Sequence, residues 1–208
     1  LIFIFSILTI ACNSQEKKEA ILSTDRQPVV AGSFYPNDPD ALETVLKSLF
    51  SKAEKAKVKD PVLAIIAPHA GYIYSGKVAA SAYNQIDPNK KYENIFILAS
   101  SHRTSFRGAS IYNIGDYITP LGKVKVNRKL ATELIEKNEV FVFNPDAHSA
   151  EHSLEVQLPF LQYYMKKDFQ IVPIVTGTQY LHDCQQIAEA LMPYFNEKNL
   201  FIVSSDFS

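Results

Sequence analysis

The chain has 208 residues, of which 47% are hydrophobic and 21% are charged, and its net charge is -1. This composition suits a soluble globular domain with a substantial core. A nearly neutral chain without a cluster of Lys and Arg lacks the positive surface that binds phosphate backbones, so we expect no nucleic-acid partner.

The N-terminal segment predicts export. Residues 1–12 begin with an apolar run that is too short to span a hydrocarbon core of about 30 Å as a helix, but matches the apolar region of a secretory signal peptide. Cys12 follows the small residue Ala11 and resembles the lipid-attachment site of a bacterial lipoprotein. We therefore expect a lipid anchor and a periplasmic or cell-surface location; an ordinary signal peptide or the end of a longer membrane anchor are the alternatives. Polar residues 13–27 are interpreted as a tether and residues 28–208 as one incomplete domain.

The first predicted helix begins after Asp38, a suitable N-cap, with Pro39 at the first helical position and apolar residues at helical spacing beyond it. Residues 62–67 then form an apolar run between two prolines, typical of a strand buried on both faces of a parallel sheet. The strand leads into His69. Ser75 is expected to cap a second helix that packs small residues on the sheet.

Two further strands end in the same way. Residues 94–99 predict a strand that leads into Ser101 and His102, and residues 200–203 predict one that leads into Asp206. The remaining pattern predicts strands at 109–112, 123–126, 140–143 and 169–175, and helices after Asn127, at 149–165 and at 184–194. Strands and helices that alternate at these lengths predict an α/β fold with a largely parallel sheet and helices on both faces.

These strand ends predict a ligand site. The carboxyl ends of parallel strands meet at one sheet edge, where open α/β sheets bind their ligands. His69, His102 and Asp206 are therefore expected to converge, and two imidazoles with a carboxylate suit Fe(II) or another divalent first-row metal. The alternative is a polar rim of the sheet that binds nothing.

The segment around residue 150 offers a different chemistry. Residues 148–152 match the H-x-x-E-H pattern of zinc metalloproteases, in which two histidines bind zinc and a glutamate is the general base. We do not favour this interpretation, because Pro145 and an expected N-cap at Ser149 place His148 ahead of the helix.

We instead expect one helix over 149–165, kinked at Pro159. Its first turn would present Glu151, His152 and Glu155 to the cleft. His152 and Glu155 are three residues apart and therefore share a helix face, where they can orient each other or transfer a proton.

Six motifs give the chain a family resemblance. They are AGSFYP, APHAGYIYSG, SH, TPLG, EHSLEVQLP and SSDFS, which begin at residues 31, 67, 101, 119, 151 and 204. In this order they resemble the Memo family, named as component B of bacterial AmmeMemoRadiSam systems, and the resemblance covers about residues 26–208. It implies the fold of the LigB-type class III extradiol dioxygenases, which are non-haem iron enzymes that open catechol rings.

The resemblance also implies roles for individual residues. His69 and His102 match the family's two metal-binding histidines, and iron or copper is the metal associated with the family. Phe34 and Tyr74 match positions in the wall of an aromatic pocket. A third ligand, a histidine, is expected directly after Ser208.

Two functions follow as expectations. In the first, the protein is a metal-dependent redox enzyme in which His69, His102 and a later residue hold the ion and Asp206 stands among or beside the ligands. The proton is moved by His152, with Glu155 on the same helix face, or by the histidine expected after Ser208. In the second, it is a non-catalytic scaffold.

The scaffold alternative uses the same cleft differently. Phe34, Tyr72 and Tyr74, together with the histidines, would form an aromatic, weakly polar cleft. Such a cleft suits a small aromatic ligand or a peptide, and animal members of the family are described as signalling adaptors.

Overall fold

The computed structural model describes residues 24–57, 60–177 and 180–206. The predicted signal peptide, the predicted lipid-attachment site Cys12 and most of the predicted tether lie outside these ranges. Within them, no helix combines the length and the apolar character needed to cross a membrane.

Strands and helices alternate as the sequence predicts. The order is α1 (Pro39–Lys52), β1 (Ala64–Ala67), α2 (Tyr72–Tyr83), β2 (Asn94–Ser100), β3 (Ala109–Ile111), β4 (Tyr117–Thr119), β5 (Gly122–Val124), α3 (Arg128–Lys137), β6 (Phe141–Val142), α4 (Asp146–Ser149), α5 (His152–Glu155), α6 (Leu158–Tyr164), β7 (Ile171–Thr176), α7 (Leu181–Leu191), a 3₁₀ turn (Met192–Tyr194) and β8 (Asn199–Ser204). Six strands form one sheet in the order β1-β8-β2-β7-β3-β6, and β4 and β5 form a separate antiparallel pair. In the large sheet only the β3–β7 pairing is antiparallel, so the predicted α/β class with a largely parallel sheet is confirmed.

Helices cover both faces of this sheet. Side chains alternate along β2, so Ile95 and Ile97 join the core beneath α1, α2 and α6, whereas Phe96 joins the core beneath α3 and α7. Gly76 lets α1 and α2 approach closely, because a Cβ at this position would lie 2.7 Å from Leu49 Cδ1.

The first strand differs from the prediction. It is shorter than the run 62–67 and occupies the edge of the sheet, paired with β8. Ile65 and Ala67 are buried, but Ile66 is 53% exposed, so the strand is covered on one face rather than on both. A continuous apolar run does not reveal this alternation.

Predicted helix caps give mixed outcomes. Asp38 and Asn127 cap α1 and α3, since each side chain accepts a hydrogen bond from a backbone N–H of the first turn. The cap predicted at Ser75 is wrong: α2 begins at Tyr72 after Gly71, and the Ser75 hydroxyl donates to Ala70 O inside the helix.

The single helix predicted over 149–165 is also wrong, because three short helices, α4, α5 and α6, occupy this segment. Pro159 lies in the first turn of α6, where its missing N–H breaks no helical hydrogen bond. Glu151 lies between α4 and α5 and caps α5 by accepting from Ser153 N at 2.9 Å. This break decides which way Glu151 and His152 face.

The end of the predicted tether belongs to the domain. Arg26 N donates to Asp116 O, and Ile118 N donates to Arg26 O, both at 2.8 Å, so the chain runs beside β4 here. The Arg26 side chain is buried. The ordered fold therefore starts before residue 28.

Candidate metal centre

Three histidines meet at the carboxyl edge of the sheet. His69 follows β1 and His102 follows β2, and β8 separates these two parallel strands. His152 begins α5, which packs over the same edge. One ring nitrogen of each histidine lies within 4.8 Å of the others, so the predicted convergence of His69 and His102 is confirmed and His152 joins them.

His69 carries its proton on Nδ1. Its ring is 1% exposed, and Nδ1 lies 3.1 Å from Ser204 Oγ. The Ser204 hydroxyl uses its only proton to donate to Ser153 O at 2.6 Å and also accepts from Gln157 Nε2, so Nδ1 of His69 must donate to it. Burial lowers the pKa of His69, which keeps the ring neutral and leaves a lone pair on Nε2.

Nε2 of His69 lies beside a carboxylate oxygen of Asp206. This atom is buried and has no hydrogen-bond partner among the described residues. Oδ2 of Asp206 lies 3.1 Å from it, which is close enough for an ion pair but lacks the angle of a hydrogen bond. A carboxylate oxygen and an imidazole lone pair that face each other repel, and a cation bound between or beside them would remove this repulsion. Asp206 thus lies next to His69 at the sheet edge, as the positions of the strand ends predict.

Glu151 contacts the other two histidines. Its carboxylate, on a residue that is 2% exposed, accepts from His102 N at 2.6 Å and lies 2.9 Å from His102 Nδ1 and 3.2 Å from His152 Nδ1. Burial alone would raise the pKa of Glu151, but the hydrogen bonds from His152, His102 and Ser153 outweigh it and hold the pKa well below the usual range.

These residues fit a metal ion. Imidazole nitrogen suits iron, copper and zinc. Histidines that bind metals commonly donate their other ring N–H to a carboxylate, a carbonyl or another polar group, as these rings do to Glu151 and Ser204. Nε2 of His69 has no hydrogen-bond partner among the described residues, so this donor set can hold a metal ion.

Comparison with known proteins agrees with the family resemblance. A family model described as "Memo-like protein" matches residues 26–208. The chain belongs to the Memo family. All three histidines, Glu151 and Asp206 lie within the matched range.

Relatives within the Memo family cover most of the chain. A MEMO1 family protein of Thermoplasma volcanium is 37% identical over 183 residues, which are 88% of this chain and 66% of the relative. A MEMO1 family protein of Desulfurococcus amylolyticus is 37% identical over 194 residues, and one of Methanobrevibacter smithii is 35% identical over 195 residues; each alignment covers 88% of this chain and 69% of the relative. The chain therefore spans about two thirds of the length of the curated relatives it matches.

The three aromatic residues predicted for the pocket lie in different surroundings. Phe34 reaches the metal centre, with its ring centroid 4.8 Å from that of His152. Tyr72 lies in the core instead, where its ring packs on Phe160 and its hydroxyl donates to Val156 O. Tyr74 is 82% exposed at the start of α2. In this Memo-family protein only Phe34 of the three touches a clustered histidine.

Glu155 is part of a buried structural network. Its carboxylate pairs with Arg26 and accepts hydrogen bonds from the Tyr35 hydroxyl and from the backbone of Val29 and Val30. His152 contacts Glu151 and not Glu155, so the predicted pairing of His152 with Glu155 is wrong. The network instead attaches the loop that carries Phe34 to the segment that carries the histidine.

His148 is not part of the metal centre. It lies within α4, not ahead of a helix, and it is 1% exposed. Its Nδ1 lies 2.9 Å from the Tyr117 hydroxyl, and its Nε2 lies 2.9 Å from Ser110 Oγ. Because both ring nitrogens have partners, the zinc site of the H-x-x-E-H interpretation is not present here.

Sequence reasoning missed the role of Glu151. It placed Glu151 in the first turn of a helix but chose Glu155 as the partner of His152. The helix α4 ends at Ser149, and Glu151 then caps α5. This break before residue 151 turns the Glu151 carboxylate towards the sheet edge, and it is the feature that the sequence prediction of one continuous helix lacked.

Proposed function

We propose that this protein binds one iron(II) or copper ion through His69, His102 and His152 and uses it in non-haem redox chemistry on a phenolic or other aromatic ligand. The observation that carries the proposal is the buried Nε2 of His69, which has no hydrogen-bond partner in the described part of the chain and has two imidazoles beside it. A bound ion of this kind would polarise an oxygen ligand and exchange single electrons with it.

The exposure of the rings indicates where a ligand enters. The side chain of His69 is 1% exposed and that of His152 is 17% exposed, whereas that of His102 is 35% exposed. Phe34 lies against His152 on the more closed side. An aromatic ligand would therefore approach over His102 and rest against Phe34, which also excludes water from that side.

Asp206 supports the proposal as a proton acceptor. Its side chain is 60% exposed, and its Oδ2 lies beside His69 Nε2. A carboxylate at this position can accept the proton of a bound phenol hydroxyl at Oδ2. His152, predicted as the proton carrier from sequence, is assigned here to the metal instead, because its ring lies within 5.4 Å of the rings of both His69 and His102.

The test is anaerobic titration of the protein with Fe(II) and, separately, with copper, followed by measurement of O₂ consumption with catechols. We expect one ion per chain, loss of binding in His69→Ala and His102→Ala, and O₂ consumption that requires the ion. A protein that binds neither metal in any redox state contradicts the proposal.

A second candidate is a scaffold that binds a peptide or a small aromatic ligand without chemistry. The observation that favours it is the pair Ile73 and Tyr74, which are 86% and 82% exposed in the first turn of α2, next to the loop after His69. Ligand binding that survives chelation and the double change His69→Ala and His102→Ala supports the scaffold. Binding that disappears with the metal supports the first candidate.

A further inference from the structure

We infer that Glu151 is a positioning residue that holds His102 and His152 together in the Nδ1–H tautomer, so that both rings present Nε2 to the metal centre. The tautomer assignment concerns the metal-free protein. Its consequence for metal affinity rests on the proposed function.

The contacts of Glu151 show that its carboxylate only accepts. Backbone N–H groups of His102 and Ser153 donate to it, at 2.6 and 2.9 Å. The Nδ1 atoms of His102 and His152 also lie near Oε1, at 2.9 and 3.2 Å. Both oxygens therefore accept from a backbone N–H whose proton cannot move, His102 N at Oε2 and Ser153 N at Oε1, and this favours the ionised carboxylate.

An ionised carboxylate selects one tautomer of each ring. A neutral imidazole has one proton, and the other nitrogen has a lone pair. If either ring carried its proton on Nε2, the Nδ1 lone pair would face the negative oxygen of Glu151 inside the protein, where such repulsion is costly. The proton therefore stays on Nδ1 in both rings.

The fold gives Glu151 little freedom to move away. Its backbone carbonyl accepts from Arg26 Nη2 at 2.8 Å, and its side chain caps α5, the helix that begins with His152. The same carboxylate therefore links the loop after β2, which carries His102, to the start of α5. One buried side chain fixes both the distance between the two histidines and the direction of their lone pairs.

Ser204 completes the arrangement at the third histidine. It accepts from Nδ1 of His69, so all three rings carry their protons on the side away from the centre. The metal-free protein is thus already arranged to bind through three Nε2 atoms. Loss of such a partner of metal ligands typically lowers metal affinity by about 10- to 100-fold.

The direct test is long-range ¹H–¹⁵N correlation NMR of the histidine rings in the metal-free protein at neutral pH. We expect His102 and His152 in the wild type to give the Nδ1–H pattern, and Glu151→Asp, which keeps a carboxylate, to retain it. In Glu151→Gln we expect the amide oxygen to stay at the Oε2 position, where the backbone N–H of His102 donates, so that the NH2 group faces the rings and at least one of them changes to Nε2–H. An Nε2–H pattern for either ring in the wild type overturns the inference, and this result needs no folded variant.

The matched control is Glu155→Gln, a change at the other buried carboxylate of the same segment, which contacts no clustered histidine. We expect it to leave the ring tautomers unchanged.

Fe(II) titration then separates the proposed function from the positioning role of Glu151. If the wild type binds Fe(II) and the Fe(II) affinity of Glu151→Gln is about 10- to 100-fold lower, the result supports both the proposed function and the positioning role of Glu151. Wild type with the Nδ1–H pattern but without Fe(II) or copper binding contradicts only the proposed function. Equal Fe(II) affinity in wild type and Glu151→Gln contradicts the positioning role.

Discussion

Replacement of His148 by Gln should change how the stability of the protein depends on pH. His148 is buried between Tyr117 and Ser110, and both of its ring nitrogens have hydrogen-bond partners. Burial and then the nearby Arg26 lower the pKa of His148 from 6.5 to about 3. The neutral ring therefore belongs to the folded state, and a glutamine, which has no titratable group, removes this dependence.

The sign and size follow from proton linkage. Below pH 6.5 the unfolded chain takes up a proton at residue 148 that the folded protein refuses, so acid favours unfolding until the pH reaches about 3. The full effect is about 5 kcal/mol, of which about 2 kcal/mol falls between pH 7 and pH 5. Carboxylates that do not interact with His148 also lose stabilising interactions in acid, but they do so equally in both proteins.

The assay is urea unfolding at pH 7 and at pH 5 with a chelator present. The variant is expected to be less stable at pH 7, but its loss of unfolding free energy between the two pH values should be about 2 kcal/mol smaller than that of the wild type. His182→Gln, a change at an exposed histidine, should behave as the wild type does. Equal losses in wild type and His148→Gln would refute the account of a buried neutral imidazole.

Three further changes test other parts of the account. Gly108 has φ +73°, and a Cβ there would collide with the backbone carbonyl oxygen of Val140; Gly108→Ala should therefore lower the unfolding free energy by more than the roughly 1–3 kcal/mol of backbone strain alone. Gly122→Ala, at φ +108° with open space around the added atom, should show only the strain, and equal costs measured by urea unfolding would contradict the collision. Phe34→Ala should weaken the binding of a phenolic ligand at least several-fold and leave Fe(II) affinity unchanged; calorimetry that finds the reverse removes Phe34 from the ligand wall. Cys12→Ser should abolish labelling of the full-length protein by a fatty acid in a bacterial host, and labelling that persists would contradict the predicted lipid anchor.

Much of the fold could be predicted from local patterns. Asp38 and Asn127 correctly predicted the starts of α1 and α3, since a short polar side chain before a helical repeat accepts hydrogen bonds from N–H groups that the helix leaves free. The apolar run that precedes His102 correctly predicted the buried strand β2. The edge position of β1 could not be predicted, because strand order depends on pairing between distant segments.

The candidate site was predicted in part. His69 and His102 were found because each follows a strand, and the carboxyl ends of parallel strands meet. His152 was found, but its partner was not: an unbroken helix would pair it with Glu155, whereas the break before α5 pairs it with Glu151. Glu155 is held elsewhere by tertiary contacts, with Arg26 and the Tyr35 hydroxyl among its partners, and such contacts cannot be predicted from local sequence.

Fe(II) and copper titration of the wild type beside four single histidine variants shows whether the three clustered histidines bind a metal ion. His69→Ala, His102→Ala and His152→Ala each remove one ring of the cluster, and His182→Ala is the control on α7. The account predicts one ion per chain for the wild type and for His182→Ala, and loss of tight binding in the other three. Undiminished binding in those three, or none in the wild type, would contradict it.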